Sequence, residues 1–183
     1  MKKVAVLLAD GFEEIEALTA VDLLRRASIY VNTVSITDDY MVHGAHGINV
    51  HTEDLFEEVN FVGYDMIVLP GGMPGTKNLE EHAGVRRVIA DFMESGKYVA
   101  AICAAPSILG GMGLLKGKRA TCYPSFESKL AGAVIGKTPV VHDGNLITSR
   151  GMGTAIDFAL KLVEVMTDKV KAEEIAASII YMR

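Results

Sequence analysis

The chain has 183 residues, half of them hydrophobic, and a formal net charge of −5. This length and apolar content predict one domain over residues 1–183 with a sizeable core. The acidic balance argues against a nucleic-acid partner, and the lack of an apolar run of about 20 residues argues against a membrane span. Two cysteines are too few for a disulfide framework, which is typical of a reducing compartment. We therefore expect a cytoplasmic protein.

Apolar runs that stop at glycine or proline alternate along the chain with stretches of helical periodicity. Strands are predicted at residues 4–9, 31–36, 65–69 and 98–102, hairpins at 41–51 and 140–148, and helices at 13–27, from 73 to about 95, after 103, at 154–166 and at 170–180. This alternation predicts an α/β fold with a mostly parallel sheet and helices on both faces. Ligands of such sheets bind at the carboxyl ends of the strands, where the turns at 10–11, 70–72 and 103–104 should meet.

Cys103 ends the apolar run at 98–102 and is followed by small residues and Pro106. A cysteine at such a strand-to-helix elbow lies beside backbone N–H groups and the positive end of a helix dipole, which lower the pKa of a thiol. We therefore interpret Cys103 as a candidate nucleophile. A buried core cysteine is the alternative, and the elbow alone does not decide between them.

Glu16 lies on an apolar face of the helix predicted at 13–27. That face consists of Phe12, Thr19, Ala20, Leu23 and Ala27. A carboxyl in such surroundings is desolvated and keeps its proton, which it could donate to a neighbouring thiolate. A half-buried acid without a function is the alternative, and Glu13 and Glu14 are interpreted as acids that suit the helix dipole.

Two further turns carry candidate binding groups. Gly71 and Gly72 follow the strand at 65–69, and their N–H groups, with that of Ala104, could form an oxyanion hole, unless the glycines only make a tight turn. Arg150 precedes the helix at 154–166, where it could face an anion or be a solvated residue of a capped turn.

Neither a metal nor a cofactor is predicted. Three histidines, His43, His46 and His51, lie on or near the hairpin at 41–51, but strand spacing does not bring three imidazoles to one point. Cys122 is the one thiol that could resolve an oxidised Cys103, although we favour a buried structural role for it.

Four segments, at 11–16, 68–72, 100–106 and 148–154, read GFEEIE, VLPGG, AAICAAP and TSRGMGT. In this order they make the chain resemble the DJ-1/ThiJ/PfpI superfamily, and most closely its DJ-1/ThiJ branch. The resemblance implies a flavodoxin-like three-layer sandwich and a homodimer. It also implies roles for site residues: Cys103 as oxidisable nucleophile, Glu16 as the acid bonded to it, Gly72 and Ala104 as oxyanion donors, and Arg150 near the pocket.

The resemblance implies a cofactor-free glyoxalase that converts methylglyoxal to lactate, or a deglycase, acting on a small aldehyde or on glycated thiols or amines. An oxidative-stress sensor or redox-regulated chaperone is the alternative. Peptidase activity is the weakest hypothesis, because peptidase relatives have a histidine where this chain has Ala104, and other branches have one where it has Tyr123. His46 stands where relatives have an arginine, so an anion site shared with Arg150 is left open.

Overall fold

The computed structural model describes residues 1–182. Its strands are β1 (Lys3–Leu8), β2 (Tyr30–Ser35), β3 (Met41–His43), β4 (Asn49–His51), β5 (Asp54–Leu55), β6 (Met66–Leu69), β7 (Tyr98–Ile102), β8 (Arg119–Ala120), β9 (Val134–Ile135), β10 (Val140–Asp143) and β11 (Leu146–Ser149). Its α-helices are α1 (Glu14–Arg26), α2 (Gly75–Glu81), α3 (Ala83–Glu94), α4 (Pro106–Gly111), α5 (Ala155–Met166) and α6 (Lys169–Ser178).

Seven strands form the central sheet in the order β10-β11-β7-β6-β1-β2-β5. Every neighbouring pair in it is parallel except β10 and β11, which form the hairpin predicted at 140–148. The hairpin predicted at 41–51 is β3 paired with β4, outside the main sheet. The predicted fold class, a mostly parallel flavodoxin-like sheet with a small hairpin, is therefore confirmed.

The core lies in two layers, one on each face of the sheet, because side chains of a strand alternate between faces. On β1, Val4, Val6 and Leu8 face the layer that also holds residues of α1, α5 and α6. The intervening Ala5 and Leu7 face the layer built with α3 and α4. All five of these side chains are fully buried, which explains why β1 is a continuous apolar run instead of an alternating one.

The structure differs from the predicted elements in two places. The single helix predicted from 73 to about 95 is divided into α2 and α3 at His82, whose ring nitrogen accepts the backbone N–H of Val85 at 3.1 Å and so caps α3. The strands β5, β8 and β9 were not predicted, because two residues are too few to show a period of hydrophobicity.

The carboxyl ends of four neighbouring parallel strands, β1, β6, β7 and β11, lie at one edge of the sheet. The turns that follow them begin at Ala9, Pro70, Cys103 and Arg150. Among residues 1–182, no helix is both long and apolar enough to cross a membrane. The sheet edge is therefore where the candidate site is assembled.

Candidate active site

Cys103 lies at the predicted elbow, one residue beyond β7. Its φ is +65°, in the left-handed region that costs energy for any residue with a side chain. The backbone is held there from both sides, since the N–H of Cys103 donates to the carbonyl of Ser149 at 3.0 Å and its carbonyl accepts the N–H of Tyr123 at 2.8 Å. The thiol is partly exposed at the end of the strand.

Glu16 lies in the first turn of α1 and is only 1% exposed. Its Oε2 accepts the backbone N–H of Gly71 at 2.9 Å. The same carboxyl is hydrogen-bonded to the thiol of Cys103 and to the backbone N–H of Met152. The structure therefore brings together Glu16 and Cys103, the two residues that the sequence singled out.

Backbone N–H groups face the sulfur as well. Those of Gly72 and Ala104 form hydrogen bonds that favour the charged form of Cys103. The N–H of Gly71 differs, because it is already engaged by Glu16. The structure thus corrects the predicted use of Gly71 as an oxyanion donor: its N–H holds the acid, and the donors beside the sulfur are Gly72 and Ala104.

Gly71 also makes room for the contact between thiol and acid. A Cβ at this position would lie 2.5 Å from Cβ of Cys103 and 2.6 Å from Oε2 of Glu16. Both distances are shorter than any van der Waals contact allows, so a side chain here would push the two groups apart. The glycine is required by close approach and not by its φ, which is not in the left-handed region.

Burial raises the pKa of Glu16 from its ordinary value near 4.5 to about 7. Burial, followed by the charge of Glu16 and the hydrogen bond that the S–H donates to its carboxylate, raises the pKa of Cys103 to about 12. The sequence predicted the opposite direction for the thiol, on the basis of a helix dipole. That prediction is wrong for the state with ionised Glu16, because α4 has only six residues and a carboxylate lies beside the sulfur.

The raised pKa of Cys103 depends on the protonation state of its neighbour. Two of its causes, the negative charge of Glu16 and the acceptor that Glu16 offers to the S–H, disappear when Glu16 carries the proton. The neutral acid then donates to the sulfur, and the N–H groups of Gly72 and Ala104 remain. The pair therefore shares one proton near neutral pH, and the thiolate forms when that proton is on Glu16.

Tyr123 and Arg150 lie at the border of this site. The contact of Tyr123 with the elbow is made by its backbone, and its half-exposed ring lies 3.3 Å from where a Cβ of Gly151 would be. Arg150 directly follows β11 and is partly exposed. Its charge acts on Cys122, whose pKa is raised to about 11 by burial and by Glu127, with Arg150 opposing.

The side chains of Cys122 and Cys103 pack in different core layers. It is 2% exposed and belongs to the core layer built with α3 and α4. Cys103 instead packs against the layer that contains α1 and α5. This arrangement favours the structural role for Cys122 over the resolving role.

The sequence did not reveal that Glu14 is buried. Its side chain is 2% exposed and accepts the backbone N–H of His46 at 2.6 Å and faces Nδ1 of His46 at 2.8 Å. Burial opposes ionisation of Glu14, but hydrogen bonds, first that from His46, outweigh it and lower its pKa. The same hydrogen bond raises the pKa of His46. Glu14 therefore anchors the β3–β4 hairpin to α1, a role that was missed because it depends on a tertiary contact.

Glu13, Glu14 and His46 each place one potential metal-ligand atom within 4.8 Å of the others. This set differs from the three histidines considered from the sequence. Nδ1 of His46 lies 2.8 Å from Oε2 of Glu14, which makes these two residues an ion pair when His46 is protonated. The carboxylate of Glu13 is farther away, with Oε1 at 3.9 Å from the same nitrogen. We assign no metal to it.

The sequence model of the DJ-1/PfpI family matches residues 2–165. The chain belongs to this family. It is 37% identical to Protein dj-1beta of Drosophila melanogaster over 98% of this chain and 97% of that protein. It is 31% identical to a protein of Schizosaccharomyces pombe named glutathione-independent glyoxalase DJ-1, over 98% of both chains.

Two plant relatives are longer. The chain is 38% identical to Protein DJ-1 homolog B and to Protein DJ-1 homolog A of Arabidopsis thaliana, but spans only 41% and 47% of their lengths. Among solved structures, an oxidised DJ-1 of Toxoplasma gondii superposes with a TM-score of 0.96 at 38% identity and covers all of both chains. The family and the fold are thus shown along the whole chain, whereas the activity has to be argued from the site.

Proposed function

We propose that this protein is a cofactor-free, cysteine-dependent glyoxalase or deglycase. The observation that carries the proposal is the position of the Cys103 sulfur, between the carboxyl of Glu16 and the N–H groups of Gly72 and Ala104. A nucleophile, an acid that can take and return a proton, and donors for a developing oxyanion are the groups that such a reaction needs. The name of the S. pombe relative supports the same activity.

The first step is attack on the aldehyde. The thiolate of Cys103 adds to the aldehyde carbon of methylglyoxal, and the carbonyl oxygen becomes an oxyanion that Gly72 and Ala104 stabilise. Glu16 then gives its proton to this oxygen. The product is a hemithioacetal bonded to Cys103, and Glu16 is now a carboxylate.

The second step is an internal redox rearrangement. The Glu16 carboxylate removes the hydrogen of the former aldehyde carbon as a proton, which yields an enediolate. Glu16 returns this proton to the neighbouring carbon, and the hydroxyl proton of the former aldehyde carbon passes to the former ketone oxygen. The aldehyde carbon is thereby oxidised to a thioester and the ketone carbon is reduced to an alcohol, so no external oxidant or reductant is used. Water hydrolyses the thioester, which releases lactate and the thiol.

The raised pKa of Glu16 suits these transfers. An acid with a pKa of about 7 gives up and recovers a proton at neutral pH with similar ease. An exposed glutamate, with its ordinary pKa near 4.5, would be a poor proton donor to the sulfur and the oxyanion. Glycated thiols and amines that present a hemithioacetal or hemiaminal fit the same groups, which makes deglycation an extension of the same chemistry.

The test is lactate production from methylglyoxal by the purified protein without glutathione. We expect turnover by the wild type and by Cys122→Ser, a control that removes the buried thiol of the other core layer. Cys103→Ser should be inactive, and Glu16→Gln should lose at least about 100-fold, the scale of a general acid–base contribution. An active Cys103→Ser variant would exclude the proposed nucleophile.

An oxidative-stress sensor is the second candidate, and one observation favours it. The Glu16 carboxyl and the two N–H groups that face the sulfur are also suitable donors to the oxygens of a sulfinic acid. Absence of turnover together with selective formation of the sulfinic acid on Cys103 would support this function instead. Peptidase activity remains the weakest hypothesis, because the acid–base partner of the thiol is a carboxyl and not an imidazole.

A homodimer in the cytoplasm is part of the proposal. Ile15, at the start of α1, and Ile48, in the β3–β4 loop, are 48% and 53% exposed. They lie in one region, since the N–H of Ile48 points at Oε1 of Glu14 at 3.4 Å. A second copy would cover this apolar surface beside the site. Sedimentation should show a dimer that Ile48→Asp weakens, and a monomeric wild type would refute it.

A further inference from the structure

We propose that Glu13 is a positioning residue whose negative charge keeps the shared proton on Glu16 and so increases the fraction of Cys103 present as thiolate. The inference deepens the proposed function, on which its biological relevance rests. It assigns a role to a residue that was interpreted from the sequence only as an acid that suits the dipole of the first helix. Glu13 itself contacts neither the sulfur nor a substrate and acts only through Glu16.

Glu13 is hydrogen-bonded both to the helix that carries Glu16 and to the turn that contains Gly71. Its Oε2 accepts the backbone N–H of Glu16 at 2.7 Å and thereby caps α1. Its own N–H donates to the carbonyl of Gly71 at 2.9 Å. Gly71 therefore accepts the N–H of Glu13 and donates its own N–H to the Glu16 carboxyl, so one turn connects the two acids.

Burial of both side chains strengthens the effect of the Glu13 charge on Glu16. Glu13 is 8% exposed and Glu16 is 1% exposed, so solvent screens the interaction of their charges less than it would at the surface. A negative charge beside Glu16 disfavours a second negative charge there. Because Glu16 and Cys103 share one proton, a penalty on ionised Glu16 moves that proton to the acid and leaves the negative charge on the sulfur.

Other titratable groups face this pair. Glu14 and Glu16 on α1 and His46 on the hairpin are close to the Glu13 carboxylate, and Cys103 faces Glu16 from the elbow. His46 could offset the charge of Glu13, since its Nδ1 lies 3.9 Å from Oε1. Its side chain is 70% exposed, however, so solvent screens this effect, and its stronger contact is with Glu14.

The test measures the rate at which iodoacetamide alkylates Cys103 as a function of pH, followed by mass spectrometry in the Cys122→Ser background. Glu13→Gln keeps an oxygen to accept the N–H of Glu16 but removes the charge. Glu13→Asp keeps the charge on a shorter side chain. Glu94→Gln, on the exposed surface of α3, is the matched control for the loss of one carboxylate.

We expect Glu13→Gln to lower the alkylation rate near pH 7 by about tenfold, the equivalent of one pKa unit, and to leave the rate at high pH unchanged, where all of the thiol is ionised. Glu13→Asp and Glu94→Gln should match the parent. Equal rates in Glu13→Gln and the parent would overturn the proposal. So would an equal loss in Glu13→Gln and Glu13→Asp, which would indicate a purely structural cap.

A second pair of variants covers the case in which Glu13→Gln does not fold. Asn and Asp have the same length and are both good N-caps, so Glu13→Asn compared with Glu13→Asp separates charge from geometry. The charged variant should react faster near pH 7, and equal rates would again contradict the inference. Neither comparison uses methylglyoxal, so its outcome is independent of whether the protein proves to be a glyoxalase.

Discussion

The carboxyl of Glu16 is hydrogen-bonded to the thiol of Cys103 while its Oε2 accepts the N–H of Gly71 at 2.9 Å. The N–H of Gly71, in the turn after β6, thereby holds the buried carboxyl of Glu16 against the thiol of Cys103. Since the charge of the acid opposes the charge of the sulfur, the location of one proton decides whether the site contains a thiol or a thiolate. This relationship leads to the predictions below.

Substitution of Gly71 should separate thiol and acid. In Gly71→Ala the new Cβ would lie at 2.5 Å from Cβ of Cys103 and 2.6 Å from Oε2 of Glu16, so one of them must move. We expect any turnover to fall by about 100-fold, because a misplacement of about 1 Å is sufficient for such a loss in catalysis. Alkylation of Cys103 near pH 7 should fall as well, because the displaced acid no longer donates to the sulfur. Gly63→Ala is the control, since nothing lies within 4 Å of its Cβ position, and a Gly71→Ala variant with unchanged thiol reactivity would refute the geometry.

Glu16 should make the stability of the protein fall as the pH rises. Its pKa is about 7 in the folded state and near 4.5 when unfolded, so between these values the folded state binds more protons and the free energy of unfolding decreases with pH. Glu16→Gln lacks this penalty. Above pH 7 it should be more stable than the wild type by up to about 3 kcal/mol.

The measurement is urea unfolding of both proteins at several pH values from 4 to 8, a range that includes both the unfolded and the folded pKa of Glu16. The two stabilities should be similar at the acidic end and diverge as the pH approaches 7. Two curves that run parallel over this range would mean that Glu16 is not desolvated in the folded protein.

Oxidation should not produce a disulfide between the two cysteines. Cys122 is 2% exposed in one core layer and Cys103 packs against the other, so the two side chains lie in different layers. Peroxide should therefore add oxygen atoms to Cys103, up to the sulfinic acid, and Cys122→Ser should oxidise at the same rate. Intact mass spectrometry distinguishes the gain of two oxygens from the loss of two hydrogens, and the latter result would restore Cys122 as a resolving thiol.

Tyr123 should contribute through its backbone and not through its hydroxyl. The contact with the elbow is the N–H of Tyr123 to the carbonyl of Cys103, at 2.8 Å, and a change of side chain retains it. Tyr123→Phe should keep turnover and thiol reactivity within about twofold, a factor that corresponds to less than 0.5 kcal/mol. A loss of two orders of magnitude would instead assign a proton-transfer role to the phenol.

The sequence predicted the parts of the structure that depend on local pattern. The continuous apolar run of β1 and the helical face around Glu16 were sufficient to place the sheet and the buried acid. The elbow at Cys103 was predicted because a strand ends abruptly at small residues. The range of α1 agrees with the helix predicted at 13–27 to within one residue, and β3 begins and β4 ends at the limits predicted for the hairpin at 41–51.

The features that were missed depend on contacts between distant segments. Burial of Glu14 requires the hairpin that carries His46 to cover α1, and no local pattern indicates this. The direction of the Cys103 pKa was wrong because the carboxylate opposite the sulfur outweighs a six-residue helix. The engagement of the Gly71 N–H by Glu16 likewise depends on how α1 meets the turn after β6.

The most direct test of the account is the reactivity of Cys103 in the native protein, measured as its alkylation by iodoacetamide from pH 5 to 12, the upper limit being the raised pKa of the thiol. The account predicts two rises. The first lies at or below about pH 7 and leads to a plateau for the thiolate that coexists with protonated Glu16, and the second approaches 12. A thiol that reacts only in the second rise, or only after denaturation, would contradict both the enzyme and the sensor proposals.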